Sequence, residues 1–186
     1  MSLLDRLVAT VLPEASDQDR AEARAKAEAL SPAHGWLAMV LDHHRRLEAL
    51  FERARHGLDG AERKTAIKEL ALVLNGHSLA EETVLYPALV EHSEKIRAAM
   101  AYEEHTMVKI QMHKLEQLEP MSQEWRDKLD HIRAAVLHHI YHEEGTWFVH
   151  LAEKAGAESA LLTQRFAEEF NRYAGNAISE PLSEPA

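Results

Sequence analysis

Two short stretches of this chain place a histidine and a carboxylate four residues apart. One runs from His77 to Glu82 and the other from His139 to Glu144, and both read His-x-x-x-Glu-Glu. On a helix, residues i and i+4 lie one turn apart on the same face. The histidine and the first glutamate of each stretch are therefore placed to bind one metal ion together.

The composition limits the kinds of protein that this chain can be. Its 186 residues are 46% hydrophobic, include no cysteine and carry a net charge of −10. The absence of cysteine excludes disulfides, iron–sulfur clusters and thiolate zinc sites. The negative charge argues against a nucleic-acid partner, since phosphate backbones are bound by clustered Lys and Arg. Neither a secretory signal nor a membrane-spanning apolar run is seen, so we expect a cytoplasmic protein without membrane partners.

The chain is predicted to be all-α, because Ala, Leu, Glu, Arg and Lys are abundant while Gly and Pro are scarce. In four long segments apolar residues recur at alternating steps of three and four, which is the pattern of helices packed in a bundle. These segments span about 31–55, 61–85, 93–118 and 122–156. Short connections favour an up-down-up-down four-helix bundle with extra helices at both termini.

The predicted domain organisation has four parts. They are an N-terminal helical extension (1–30), the bundle (31–156), a C-terminal packing helix (157–175) and a disordered tail (176–186). Within the extension, residues 2–12 and 16–30 each show a helical pattern. The second of these has little apolar surface, which predicts a peripheral helix or a mobile arm.

The heptad register of the four segments selects six polar residues for the bundle interior. They are His44, His77, Glu81, His105, His139 and Glu143. The same register leaves their neighbours His43, His138, Glu82 and Glu144 outside, and it continues through Thr146 and His150. One inward histidine is usually a hydrogen-bonded core residue. Burying four histidines and two carboxylates costs several kcal/mol per uncompensated charge, against a total stability of about 5–15 kcal/mol. A bound metal would offset that cost.

Imidazole and carboxylate ligands without thiolate suit Fe, Mn, Zn or Cu. Six such ligands are too many for one tetrahedral zinc ion. They suit two ions, each held by two histidines and both bridged by two carboxylates. An oxo or hydroxo bridge would bring each ion to about five donors, so that an octahedral ion such as iron keeps an open position.

Four motifs, in this order, resemble the hemerythrin-like (HHE cation-binding) domain over about residues 34–152. They are Leu41-Asp42-His43-His44 with its continuation to Phe51, His77-x-x-x-Glu81-Glu82-x-x-Leu85-Tyr86-Pro87, Glu103-Glu104-His105, and His139-x-x-x-Glu143-Glu144. The resemblance implies a four-helix bundle around a non-haem di-iron centre. Carried over by position, its ligands are the same six residues that the register selects. Centres of this family bind O₂ reversibly or handle peroxide, nitric oxide or iron itself.

The chain departs from the O₂-carrying hemerythrins of invertebrates. They have a second histidine one turn after the third-helix ligand, where this chain has Lys109, and their fourth-helix pair ends in Asp five residues on. The resemblance thus implies a more open centre than that of a simple O₂ carrier. His43 and His113 are candidates for further ligands, and Tyr102 for a hydrogen bond to the centre; the alternatives are a surface position for His113 and an ordinary core position for Tyr102.

Two functions follow from these observations. The first is a non-haem di-iron protein, with two oxo- or hydroxo-bridged iron ions, that binds or reacts with O₂, peroxide or NO in stress handling. Catalase-like turnover is one form of it. The second is a non-catalytic sensor, carrier or iron-storage module, acting as a monomer or homodimer. A metal-free helical protein is a third interpretation, disfavoured by the polar interior.

Overall fold

The computed structural model describes residues 15–175, and within that range the chain is helical and has no strand. In chain order the α-helices are α1 (Asp17–Leu30), α2 (Gly35–His56), α3 (Gly60–Ala80), α4 (Tyr86–Glu91), α5 (Lys95–Glu116), α6 (Gln123–His142), α7 (Phe148–Lys154) and α8 (Ser159–Ala174). A 3-10 turn at Ser31–Ala33 joins α1 to α2. The predicted helix at 2–12 and the predicted tail at 176–186 lie outside the described residues.

Side-chain caps begin three of the helices. Ser16 accepts a hydrogen bond from the amide of Asp19 at the start of α1, and the Asp19 carboxylate accepts one in return. Asp59 caps α3, and Ser122 caps α6. These residues satisfy amide groups that have no partner within the first turn of a helix.

A π-helical turn interrupts the helix at each His-x-x-x-Glu-Glu motif. Glu81–Leu85 joins α3 to α4, and Glu143–Trp147 joins α6 to α7. In the first turn the amide of Tyr86 bonds to the carbonyl of Glu81, five residues earlier, and the second turn repeats that pattern. π-Turns of this kind insert one extra residue into an α-helix and are frequent at functional sites.

The π-turns shift the helical register beyond each motif, so the heptad positions predicted beyond the second motif are wrong. The register predicted inward positions at Thr146 and His150, but Thr146 is exposed and His150 is only half-buried. Phe148 is fully buried instead. The extra residue in the turn places position i+5, rather than i+4, one turn beyond Glu143, so every later residue rotates away from its predicted face.

Two clusters of buried apolar side chains lie on either side of a layer of buried polar side chains. The first cluster includes Trp36, Leu37, Val40, Leu41, Leu85, Tyr86, Phe148 and Phe166, and the second includes Leu47, Phe51, Leu70, Leu115, Trp125 and Ile132. Helix α2 passes from the first cluster to the second, and α3 with α4 passes back. Helix α5 again runs from the first to the second, and α6 with α7 returns.

The terminal helices pack directly against the elements that carry the motifs. Helix α8 packs on α2 and α3, where a Cβ at Gly76 would lie 3.3 Å from Phe170 and Ala174. Helix α1 packs on the second π-turn, where a Cβ at Gly145 would lie 3.2 Å from Ala23. None of the helices in residues 15–175 combines the length and the apolar character needed to cross a membrane.

Candidate metal centre

All six polar residues selected by the register lie in the buried layer between the two apolar clusters. His44, His77, Glu81, His105, His139 and Glu143 are each at most 5% exposed. Their possible ligand atoms fall into two groups that share Glu81, and within each group all the atoms lie within 4.8 Å of one another. The groups are His44, His77, Glu81 and Glu143, and Glu81, His105 and His139.

Glu81 lies between two histidines from different helices. Its Oε1 is 3.3 Å from Nε2 of His77, and its Oε2 is 3.5 Å from Nε2 of His105. The two oxygens of one carboxylate thus face opposite halves of the layer.

Glu143 repeats this arrangement with the other two histidines. Its Oε2 is 3.3 Å from Nε2 of His44, and its Oε1 is 3.2 Å from Nε2 of His139. The site therefore has two histidine pairs, His44 with His77 and His105 with His139, and each carboxylate spans both pairs.

The second glutamate of each motif orients a histidine from another helix. Glu144 lies 2.8 Å from Nδ1 of His44, and Glu82 lies 3.0 Å from Nδ1 of His105. A carboxylate only accepts hydrogen bonds, so each of these Nδ1 atoms carries a proton, and in the neutral ring Nε2 then carries the lone pair. This pairing of metal-binding histidine with carboxylate is usual at metal sites.

His139 is oriented in the same way by a residue next to a ligand. Glu104 lies 2.7 Å from its Nδ1 and comes from helix α5, immediately before His105. Lys109 stands where the O₂-carrying hemerythrins have a second histidine on the third helix. Its ammonium donates to Glu82 at 2.6 Å instead of entering the centre. Its ammonium therefore supports the carboxylate that orients His105.

These hydrogen bonds point several lone pairs at one another. Nε2 of His105 and Nε2 of His139 are 3.0 Å apart. Nε2 of His44, Oε1 of Glu81 and Oε2 of Glu143 are buried and have no hydrogen-bond partner. Lone pairs that face one another in a buried site are unfavourable unless a proton or a cation lies between them. The donor set therefore fits metal ions.

The pKa values show the same shortage of positive charge. Burial and the neighbouring Glu143 raise the pKa of Glu81 well above its usual range. Burial would also raise the pKa of Glu143, but His139 and His44 hold this pKa well below its usual range. Burial would lower the pKa of His44, yet the adjacent carboxylates of Glu143 and Glu144 raise it to about 9. Divalent cations would allow both carboxylates to ionise without protonated histidines.

Tyr86 is a residue of the centre that the sequence did not predict. Its fully buried hydroxyl donates to Oε1 of Glu143 at 2.9 Å and lies 3.0 Å from Nε2 of His105 and 3.3 Å from Nε2 of His139. The π-turn brings it there, one turn beyond Glu81. The Leu-Tyr-Pro that follows the first motif was the signal in the sequence, but the α-helical register did not select that tyrosine for the interior.

The other candidate residues lie outside the ligand groups. His113 is exposed. The Tyr102 hydroxyl donates to the backbone carbonyl of Glu82, so Tyr102 is neither core nor bonded to the centre. His43 is buried, stacks on Phe170 with ring centroids 3.9 Å apart, and leaves Nδ1 without a partner. Burial, with His44 nearby, lowers its pKa to about 3, so it is a neutral ring that packs beside the centre.

Replacing Tyr86 by Phe should weaken the centre without a change in shape. A hydrogen bond from a buried hydroxyl to a charged group contributes about 1.5–3 kcal/mol, and Phe leaves Glu143 without that donor. We expect the unfolding free energy of the metal-free protein, measured in urea, to fall by about that amount. Tyr102→Phe is the matched control. An equal loss in both variants would contradict a special role for Tyr86.

The comparisons with known proteins agree with this geometry. Residues 37–151 match the model of the hemerythrin HHE cation-binding domain. The chain therefore belongs to the hemerythrin HHE cation-binding domain family, as the resemblance in its motifs indicated. Membership and the buried His/Glu groups both indicate metal binding.

A curated relative is a protein of Nostoc named DNA nickase. It is 24% identical over 127 residues, which are 68% of this chain and 35% of that protein. The chain thus spans about a third of the length of that relative. No solved structure matches the chain.

Proposed function

We propose that the six buried residues hold two iron ions, one at His44 and His77 and the other at His105 and His139. Glu81 and Glu143 would bridge the two ions. The observation that carries this proposal is that the two oxygens of each carboxylate face histidines of different pairs, at 3.2–3.5 Å. A single ion can chelate both oxygens of a carboxylate, but it would not account for two oxygens that face different histidine pairs.

We also propose that α2, α3 with α4, α5, and α6 with α7 form an up-down-up-down four-helix bundle. The order in which the chain meets the two apolar clusters supports it, because that order reverses from each of these segments to the next. Such a bundle brings the midpoints of all four segments to one level, and the polar residues lie at those midpoints.

Iron held by these residues would supply redox chemistry toward O₂, hydrogen peroxide or nitric oxide. The protein residues have separate parts in it. Glu82, Glu104 and Glu144 fix the orientation of three histidines, while the two apolar clusters keep bulk water from the layer. The Tyr86 hydroxyl holds a proton at Oε1 of Glu143, where it can be donated to a small bound ligand. The six residues are each at most 5% exposed, so a small ligand suits the centre better than a large one.

Metal analysis with a peroxide assay tests the proposal. We expect about two iron ions per chain by mass spectrometry, visible absorption that changes with air or peroxide, and loss of hydrogen peroxide in the presence of the iron-loaded protein. Two irons without peroxide loss would reject the catalytic form and leave ligand binding. Zinc alone, or one ion without absorption, would reject the di-iron centre.

A non-catalytic sensor, carrier or iron store is the second candidate. The packing of α8 on α2 and α3, next to His77, favours it, because a change at the centre would reach a terminal helix. Amide hydrogen exchange of α8, compared between the oxidised and reduced protein, separates the two candidates. Equal exchange in both forms counts against a sensor.

The name of the Nostoc relative raises DNA as a substrate, but the net charge of −10 argues against it. Binding to a phosphate backbone needs clustered cations. We therefore propose no nucleic-acid partner. The corresponding assay is nicking of supercoiled plasmid by the iron-loaded protein, with chelated protein as the control; nicking by the loaded form alone would overturn this part of the proposal.

Chelation should lower the melting temperature. Ions that bind only the folded chain stabilise it by about 4 kcal/mol at a thousandfold excess over Kd. For a chain of this size, 1 kcal/mol corresponds to about 2–4 °C. We expect the midpoint to fall by about 10 °C in differential scanning calorimetry. Chelator added to Glu81→Gln is the control and should have a smaller effect. An unaltered midpoint would favour a metal-free polar network.

A further inference from the structure

A further pair of histidines lies outside the six residues of the buried centre. His138 and His142 are one turn apart on α6 and half-buried, and their Nε2 atoms are 3.1 Å apart. Neither belongs to the two interior ligand groups. The heptad register leaves His138 off the interior seam. Membership of the bundle core therefore does not explain why the two histidines lie side by side.

The spacing of the two nitrogens fits an ion. Two nitrogen donors that are each about 2.1 Å from one metal ion and 3.1 Å apart subtend an angle of about 95° at the ion. That angle is near the right angle between neighbouring positions of an octahedral or square-planar ion, the geometries of Ni²⁺ and Cu²⁺. An N–H···N hydrogen bond between two neutral rings would also bring the nitrogens to this distance.

Neighbouring rings hold His142 in this orientation. Its ring stacks on Trp147, with centroids 5.6 Å apart and planes 13° from parallel, and the Tyr141 ring is tilted against it with centroids 5.4 Å apart. Trp147 is itself only 3% exposed. Because the His142 ring is already fixed, an ion would lose little affinity to ordering of that side chain.

We propose that His138 and His142 form a second, peripheral site for a divalent transition metal ion, with water as the remaining ligands. The site has two imidazole donors and no bridging carboxylate, so its ion would exchange with solvent more readily than an ion in the buried layer. The proposal does not depend on which metal the buried layer holds.

Titration with Ni²⁺ tests the proposal on the full-length protein as purified, without a polyhistidine tag. We expect one Ni²⁺ equivalent by calorimetry, beyond the metal already bound, and quenching of Trp147 fluorescence, because the ion would lie against the ring that stacks on this indole. His138→Gln and His142→Gln should each weaken Ni²⁺ binding by about tenfold or more. His131→Gln, two turns before His138 on the same helix, is the matched control and should bind as the unaltered protein does.

Mass spectrometry of the interior metal, before and after titration, separates the two sites. Interior metal content should be the same in the His138→Gln variant and the unaltered protein. This variant is the decisive one, because it leaves the stack of His142 on Trp147 in place. Equal Ni²⁺ binding by the unaltered protein and His138→Gln, or no binding by either, would overturn the proposal and leave a hydrogen-bonded pair.

Discussion

Glu81→Gln is expected to yield a folded protein that has lost at least one of the two metal ions proposed above. Both carboxylate oxygens of Glu81 face histidines, at 3.3 Å and 3.5 Å, one from each pair. Glutamine has nearly the same volume but is neutral, and one of its two terminal atoms is a hydrogen-bond donor. Changes in residues that only orient ligands cost about 10–100-fold in metal affinity, so loss of a residue proposed to bind both ions should cost more than about 100-fold.

The stability of the metal-free form distinguishes this explanation from a simple polar core. Burial and Glu143 raise the pKa of Glu81, so without metal its charge is unfavourable in the folded state. Glutamine removes that charge. We therefore expect metal-free Glu81→Gln to resist urea at least as well as the metal-free parent, while the metal-loaded variant is less stable than the loaded parent.

The measurements are metal content by mass spectrometry after gel filtration, and urea unfolding of loaded and metal-free protein. Glu103→Gln is the matched control, because Glu103 is exposed and lies two residues before His105. It should keep the same metal content as the parent. If Glu81→Gln also keeps two ions with unaltered affinity, Glu81 is not a ligand and the bridging arrangement is wrong.

The six central residues could be predicted because an α-helical register is a local property. Steps of three and four place His44, His77 and His105 on the seams of their helices, and each proves to be buried in one polar layer. His139 and Glu143 follow from the same rule, as the second π-turn begins only at Glu143. Up to that residue, the chain keeps the helical repeat that the prediction assumes.

Residues beyond the π-turns could not be predicted in this way. A π-turn adds one residue to the helical turn, and nothing in a repeat of three and four reveals where that happens. The register therefore did not select Tyr86, and it placed Thr146 inward. In the structure the first π-turn brings Tyr86 into the interior, and the second leaves Thr146 exposed.

The roles of Glu82 and Glu144 depend on contacts between helices. Both lie just off the seam, where a sequence pattern indicates solvent. In the structure each reaches a histidine of another helix, and Glu144 is 1% exposed. Tertiary packing decides which helices are neighbours. The repeated Glu-Glu could therefore be noticed in the sequence, but its role could not be explained.

Arg24 is the least expected contributor, since it lies on α1, before the residues that match the family. Its Nη2 donates to Oε1 of Glu144 at 2.9 Å, and its Nη1 to Oε2 of Glu48 at 2.8 Å. Glu144 in turn orients His44. The sequence predicted a peripheral helix or a mobile arm at this position, because α1 has few apolar residues. Hydrophobic periodicity did not indicate that α1 is held in place by the hydrogen bonds from the Arg24 guanidinium.

Arg24→Met is expected to weaken the centre from outside it. Methionine keeps an apolar stem but leaves Glu144 buried without its cation, so this carboxylate is held less firmly against Nδ1 of His44. We expect metal affinity to fall by about 10–100-fold, as for other residues that orient ligands. The measurement is metal retention during dialysis against a graded series of chelator concentrations.

Arg24→Lys should be intermediate, because an ammonium lacks the planar fork that reaches two carboxylates at once. Arg20→Met is the matched control: Arg20 is one turn earlier on α1 and pairs with the exposed Asp17. If α1 only covers the surface, Arg24→Met and Arg20→Met will retain metal equally well. If it is part of the metal site, only the Arg24 variants will lose metal at low chelator concentration, and Glu144→Gln will reproduce their loss.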